Sequence, residues 1–234
     1  MELISIVGRF AEAIKAVDAA ATKLHANYLP GVPSMTETQV RDAFMSWWTT
    51  NHIGDFKNES HWETELSYPE NPRAKCDIVF SSASHTDTNL EWALELKCIR
   101  FIGDNGKNND YGLSKFFSPY LKDRSLIHDI DRLSSSKIAQ RKAVIGYGWN
   151  YNFDSCAEAL RIHPHETERI ANMRKVCQTN DPVNGVLNLS PILTMVDTWL
   201  TTNNLTKSIL TKDFSGAWKH PTGGYGTIFA WEIN

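Results

Sequence analysis

The sequence has few of the features that mark specialised protein classes. Its four cysteines are widely separated and form no Cys-x-x-Cys pair, which argues against a disulfide framework and a zinc knuckle. No apolar run reaches the length of a membrane span, and the first residues lack the basic and apolar blocks of a secretion signal. We therefore predict a cytoplasmic protein with reduced thiols and no membrane partner.

A strong excess of one charge is also missing. The formal net charge is −3, and the contents of 41% hydrophobic and 22% charged residues are those of an ordinary globular protein. A chain of 234 residues is long enough for one good-sized domain. We expect an N-terminal helix in residues 1–33, a core in 34–150, and an extension of the same domain in 151–234, whose role the sequence does not indicate.

Positive charge is concentrated in one segment. Residues 97–142 contain ten Lys or Arg against five Asp and no Glu, so this stretch is locally basic within an acidic chain. Clustered basic residues are the feature by which a protein of low net charge can still meet an anionic partner.

Hydrophobic periodicity predicts the secondary structure. Apolar residues recur at helical spacing in some segments and alternate in others, with Pro and Gly between them. The N-terminal segment is predicted to contain a helix over 2–28. The core is predicted to contain a helix over 34–48, strands over 62–68, 75–80 and 90–97, a helix over 121–141 and a strand over 142–148. Prolines 69 and 72 are expected to close the first strand, and the serines at 134–136 favour a break in the last helix. The extension is predicted to contain helices over 157–162, 166–177 and 191–200 and strands over 208–211 and 225–233.

Three charged residues interrupt two of the apolar strands. Asp77 lies within Lys75-Cys76-Asp77-Ile78-Val79-Phe80, and Glu95 and Lys97 lie within Leu90-Glu91-Trp92-Ala93-Leu94-Glu95-Leu96-Lys97. Residues two apart share a strand face, so Glu95 and Lys97 point the same way. If the strands are neighbours, Asp77 can join them on one face of the sheet. Two carboxylates and an ammonium suit a hard divalent cation and a water held against a phosphate.

This arrangement resembles the PD-(D/E)xK nuclease superfamily, which has the restriction-endonuclease-like fold. The resemblance covers residues 34–148 and rests on Asp77 in the second strand, Glu95-Leu96-Lys97 in the third, and the αβββαβ order of elements. The chain differs from the family's name in one position, since Cys76 and not proline precedes Asp77. The resemblance implies an α/β fold with a mixed central sheet flanked by helices.

The same resemblance implies an activity and a site. Asp77 and Glu95 would hold Mg²⁺ together with the main-chain carbonyl of Leu96, and Lys97 would orient the attacking water. The expected function is a Mg²⁺-dependent endonuclease that cuts duplex DNA as a homodimer, in restriction or defence. A repair or recombination nuclease acting on branched DNA, and a nuclease-like domain that only binds DNA or a protein, are the alternatives.

A further acid for the metal is expected from the helix before the first strand. Glu37 lies there, but Ser34-Met35-Thr36-Glu37 also matches a capping box in which Glu37 would bond to the Ser34 backbone. Glu65 in the first strand is a third option for the same place. The competing structural interpretation of the site is a solvated sheet face on which Glu91, Glu95 and Lys97 form cross-strand ion pairs.

Basic residues that follow the third strand are candidates for DNA contacts. We expect them to neutralise DNA phosphates, although a solvated loop and helix face would have the same composition. The candidates are Lys107, Lys115, Lys122 and Arg124.

Overall fold

The fold is known from a computed structural model of the chain. It describes residues 1–22, 30–32, 35–56, 62–81, 90–99, 125–151, 154, 188–217, 219 and 224–234. Among these residues there is no helix whose length and apolar character would let it cross a bilayer.

Four helices and six strands make up the described parts of the chain. The helices are α1 (Leu3–Ala20), α2 (Glu37–Asn51), α3 (Leu126–Ser135) and α4 (Leu189–Thr202), with a short 3-10 turn at Ile53–Asp55. The strands are β1 (Trp62–Tyr68), β2 (Asn71–Phe80), β3 (Trp92–Ile99), β4 (Arg141–Trp149), β5 (Thr206–Phe214) and β6 (Gly226–Ile233).

The strands form one mixed sheet in the order β1-β2-β3-β4-β6-β5. The β3–β4 pair is parallel and is connected through α3, whereas the other four pairs are antiparallel. The two central strands, β3 and β4, are mostly apolar and are buried along almost their whole length, as expected for strands with both faces covered. The sheet is therefore the centre of the molecule, and its middle carries the predicted site.

Helices lie against both faces of the sheet. On one face, α2 packs Trp48 against Phe80 of β2 and Phe44 against Tyr147 of β4, with ring centroids 5.5 Å and 6.0 Å apart. On the other face, Trp231 of β6 donates a hydrogen bond of 3.1 Å to Asp197 of α4. This second face is also the one that carries Glu95 and Lys97, so both charges lie between the sheet and α3.

These observations confirm the predicted class, a mixed α/β protein whose central sheet is flanked by helices. The strand predicted at Trp62–Tyr68 is confirmed at both ends. The element order α2-β1-β2-β3-α3-β4 is the predicted order of the core. The helices predicted at 157–162 and 166–177 lie outside the described residues.

Two predicted helices end earlier than their periodicity indicated. The first ends at Ala20, not at residue 28, and the Lys219 ammonium donates to the carbonyl oxygens of Ala19 and Ala21 at this end. The helix predicted over 121–141 ends at Ser135. Ser135 donates to the Asp131 carbonyl at 2.7 Å, a local bond that competes with helix continuation.

Pro72 was also assigned wrongly, because it does not close a strand but lies inside β2. The β2–β3 ladder runs from Ile78 to Phe80, so the first half of β2 pairs with β1 alone. A proline is tolerated in a strand segment whose other edge has no partner strand.

Candidate functional site

The site is an opening between β2 and β3. Their ladder pairs Phe80 with Trp92 and ends at the pair Ile78–Leu94. Continued by one residue, this register places Asp77 across from Glu95, and the two carboxylates are close enough to repel each other. The Asp77 Oδ2 atom accepts a hydrogen bond of 2.8 Å from the Leu96 N–H, which replaces a strand-to-strand bond. Since the N–H and C=O of one residue in an extended strand point to the same edge, the Leu96 carbonyl also faces this opening.

Glu95 is held in a buried, polar environment. It is 2% exposed, and its Oε1 atom accepts a hydrogen bond of 2.5 Å from the Tyr68 hydroxyl. The Arg132 guanidinium approaches the same oxygen at 3.8 Å. Burial raises the pKa of Glu95 well above its ordinary value, and repulsion from the nearby Asp129 and Asp77 carboxylates adds to this effect.

Lys97 is a buried cation whose direct partner belongs to α3. It is 8% exposed, and its Nζ atom lies 2.6 Å from Oδ2 of Asp129, a side chain with no exposed surface. Arg132 binds the other oxygen of the same carboxylate. Burial by itself lowers the pKa of Lys97, but attraction to Asp129 and then to Glu37 outweighs it, so the pKa lies above its ordinary value.

The N-terminal turns of α2 face the same opening. Glu37 Oε1 accepts a hydrogen bond of 3.2 Å from the Cys98 N–H on β3. The capping box of this helix is formed by Thr36 and Gln39, so the capping box predicted for Ser34 and Glu37 is wrong. Because Thr36 and Gln39 satisfy the helix end, the Glu37 carboxylate is left to reach β3.

Arg41, one helical turn after Glu37, links two of the acids. It is 3% exposed, and its Nη1 atom lies 3.1 Å from Oε1 of Glu65 and 3.7 Å from Oδ1 of Asp77. Glu65 lies between Thr64 and Leu66, whose β2 partners Ile78 and Cys76 flank Asp77, and it has a φ angle of 58°, a conformation that residues other than glycine rarely adopt. Strained residues of this kind are frequent at functional sites, and here the strain accompanies the Glu65–Arg41 pair.

The structure therefore brings most of the predicted site residues together. Glu95 and Lys97 share one face, the Asp77 carboxylate lies close to both, and Glu37 approaches from α2. The interpretation as a solvated sheet face is wrong, since Glu95 and Lys97 are buried and the direct partner of Lys97 is on a helix. The DNA-contact candidates Lys107, Lys115, Lys122 and Arg124 lie outside the described residues.

Sequence reasoning missed four residues that complete the site, namely Tyr68, Arg41, Asp129 and Arg132. Asp129 could have been found from the sequence, because it falls on the apolar stripe of α3 among Leu126, Ile130 and Leu133. A carboxylate on a buried stripe requires a partner. For Arg41 the signal was its position four residues after Glu37, which places both on one helix face.

Comparison with protein-family models, with curated proteins and with solved structures finds no match to this chain. Among the described residues, no group of three or more His, Cys, Asp or Glu side chains is arranged to hold a metal ion.

Proposed function

We propose that the protein is a Mg²⁺-dependent endonuclease of restriction-endonuclease-like fold that hydrolyses phosphodiester bonds in duplex DNA. The observation that carries the proposal is the position of Asp77 at the end of the β2–β3 ladder, where its carboxylate accepts a hydrogen bond from the Leu96 N–H, between Glu95 and Lys97 on β3. The α2-β1-β2-β3-α3-β4 order, with β3 and β4 parallel, supports the resemblance to the PD-(D/E)xK superfamily.

The donor set fits Mg²⁺. This ion prefers oxygen ligands and is commonly held by one or two carboxylates with several waters, so a group of three acids is not required. The Asp77 side chain is 28% exposed and accessible to such an ion, and Glu95 and the Leu96 carbonyl would be the further protein ligands. When bound, the ion would polarise the phosphate and lower the pKa of a water.

The charge balance of the site also favours a required cation. Five carboxylates (Glu37, Glu65, Asp77, Glu95 and Asp129) lie beside three cationic side chains (Arg41, Lys97 and Arg132). The site is thus net negative when all are ionised, and an anionic phosphodiester would be repelled from it. A bound divalent cation would offset this negative charge.

The protein groups have separate tasks in this proposal. Lys97 orients the attacking water and offsets charge that develops on the phosphate. Tyr68 and Arg132 hold Glu95, and Arg41 approaches Asp77, so both carboxylates keep fixed positions. Preorganised charge of this kind is the main source of catalysis in phosphoryl chemistry.

The biological setting is proposed from the resemblance. A homodimer would place two sites on the two strands of the duplex, and the role would be restriction or defence. Lys107, Lys115, Lys122 and Arg124 remain the predicted phosphate contacts, in the locally basic segment.

Cleavage of a supercoiled plasmid with Mg²⁺, and again with a chelator, tests the proposal. Asp77→Asn and Lys97→Met should each lower the cleavage rate by about 100-fold or more, as expected when a charge-stabilising group is removed. Glu63→Gln, an exposed acid on the neighbouring strand β1, is the matched control and should cleave like the wild type. Retention of wild-type cleavage by the Asp77 or Lys97 variant would overturn the assignment.

A second candidate is a nuclease-like domain that binds DNA or a protein without cutting. The direct engagement of Lys97 by Asp129 and the net charge of −3 favour it. It predicts no nicking at any Mg²⁺ concentration, on plain plasmid or on branched duplexes. Faster cutting of branched duplexes than of plasmid would instead indicate a repair or recombination nuclease.

A further inference from the structure

We propose that Asp129 on α3 is a positioning residue that holds the Lys97 ammonium in the site. The inference rests on the proposed function and adds a fourth residue, an acid from a different element, to the three residues that carry the resemblance. It assigns Asp129 no contact with the substrate, since its side chain is fully buried behind Lys97.

Both oxygens of the Asp129 carboxylate are engaged by cations. Oδ2 lies 2.6 Å from Lys97 Nζ, and Oδ1 accepts from Arg132 Nη2 one turn further along α3. Asp129 has no exposed surface, and its neighbours on the helix stripe include Leu126 and Ile130. An ionised carboxylate is retained in such surroundings only with charged partners, so its position and that of Lys97 depend on each other.

A lysine requires this kind of support more than an arginine would. Its ammonium is a compact charge at the end of a flexible four-carbon chain, with three donors and no preferred plane. Glu37, Asp77 and Glu95 also attract it, and any of them could draw it away from one working position. Asp129 provides a fixed anchor on a helix, with its Oδ2 atom 2.6 Å from the ammonium nitrogen.

The position of Asp129 also explains how α3 takes part in the site. Ser125 caps the helix by accepting from the His128 N–H, which places Asp129 in the first turn. Leu126, Ile130 and Leu133 fix the same helix in the core. The anchor is therefore part of a packed element and not of a loop, a placement that favours geometric precision.

The test compares three substitutions on α3. Asp129→Asn keeps nearly the same shape but removes the charge. We expect kcat for Mg²⁺-dependent plasmid cleavage to fall about 10- to 100-fold with little change in KM, because displacing the Lys97 ammonium by about 1 Å has an effect of this size. Asp129→Glu keeps the charge and should recover part of kcat. Asp131→Asn, an exposed acid two residues away, is the matched control and should cleave like the wild type.

A second measurement tests whether Asp129 and Lys97 form the ion pair in solution. Urea unfolding of the wild type, Asp129→Asn, Lys97→Met and the double variant forms a cycle, and the two positions should be strongly non-additive if the pair exists. Additive effects, an unchanged kcat in Asp129→Asn, or equal loss of kcat in Asp129→Glu would each overturn the inference. A wild-type protein that never cleaves DNA overturns the proposed function together with it, whereas an active wild type with an active Asp129→Asn variant overturns the positioning role alone.

Discussion

At the scale of single residues, the charged groups buried at the site each have polar partners. Asp129 binds two cations and Glu95 is held by Tyr68 and Arg132. Exposed acids such as Glu63 lie on the solvent side of β1. Because burial of an ionised group is unfavourable without partners, the paired and buried residues mark the candidate site.

Asp55 provides a test of the same principle away from the site. Its carboxylate accepts hydrogen bonds of 2.7 Å from Arg9 Nε and 2.9 Å from Trp48 Nε1, tying α1 to α2. Burial alone raises the pKa of Asp55, but the bonds from Arg9 and Trp48 outweigh it and lower the pKa below its ordinary value.

We therefore expect Asp55→Asn to reduce the free energy of unfolding at neutral pH by about 1 kcal/mol, a modest amount because the pair is partly exposed. A lowered pKa stabilises the fold above the unfolded-state value of about 3.9, and this stabilisation disappears as the pH falls through the folded-state pKa. The difference between the variant and the wild type should thus shrink in urea unfolding carried out between about pH 5 and pH 2.

The control for this prediction uses the other acid on the same arginine. Glu12 contacts Arg9 at 3.1 Å but is exposed, so Glu12→Gln should leave stability unchanged within about 0.5 kcal/mol. A difference for Asp55→Asn that stays constant down to the lowest pH would contradict the electrostatic explanation.

The three central residues of the site could be predicted from the sequence because strand alternation is a local property. Glu95 and Lys97 share a face in any strand that contains them. The partners could not be predicted in this way. Tyr68 reaches Glu95, and Arg41 reaches Glu65, only because β1 and α2 lie where they do, and the left-handed conformation of Glu65 has no sequence signal.

At the scale of elements, two glycines show how differently one residue type acts in a helix and in the sheet. Gly8 lies in α1, and a Cβ atom added there would meet nothing within 4 Å. Gly146 lies in β4, where an added Cβ would stand 2.3 Å from Cζ of Phe229 and 2.9 Å from the carbonyl oxygen of Lys97. The second glycine therefore allows β3, β4 and β6 to pack closely beside the site.

We expect Gly8→Ala to raise the free energy of unfolding by about 0.5 to 1 kcal/mol, the usual difference between these residues within a helix. Gly146→Ala should lower it by about 1 to 3 kcal/mol, since a crowded core must shift to accept a methyl group. Urea unfolding of both variants measures the two changes in the free energy of unfolding. Equal effects of the two changes would contradict the packing described for β4.

The ends of elements were less predictable than their existence. The serines at 134–136 indicated a break, and α3 does end there, yet the periodic stripe continued to residue 141. Contacts from outside the helix add to the local Ser135 bond at this end, since Lys142 Nζ donates to the Ser134 and Ser136 carbonyls and Glu70 accepts from the Ser136 hydroxyl. Long-range bonds of this kind cannot be read from local composition.

At the scale of the whole molecule, the C-terminal strands are part of the sheet that holds the site. Strand β6 pairs with β4 from Lys142 to Trp149, and α1 packs on β5 and β6. Phe229 and Trp231 have no exposed surface. Without β5 and β6, one edge of β4 and a large apolar surface would meet water.

We predict that a fragment of residues 1–150 does not form a stable domain, although it contains every element of the proposed nuclease core. It should aggregate or unfold without a cooperative urea transition, whereas the full chain should unfold cooperatively by tryptophan fluorescence and circular dichroism. A cooperative transition in the fragment would show that the core folds without its C-terminal strands.

The sequence by itself determined which residues alternate toward a common face, where buried charges occur in apolar segments, and the order of helices and strands. These are local properties of a chain with a fixed geometric period. Only the tertiary structure decided that Asp77 meets Glu95 at the end of the β2–β3 ladder, that Lys97 is bound by Asp129, and that β6 lies beside β4. Strand register and helix placement depend on packing between segments that are far apart in sequence. A local pattern therefore carries no information about which charged residues become neighbours in the folded chain.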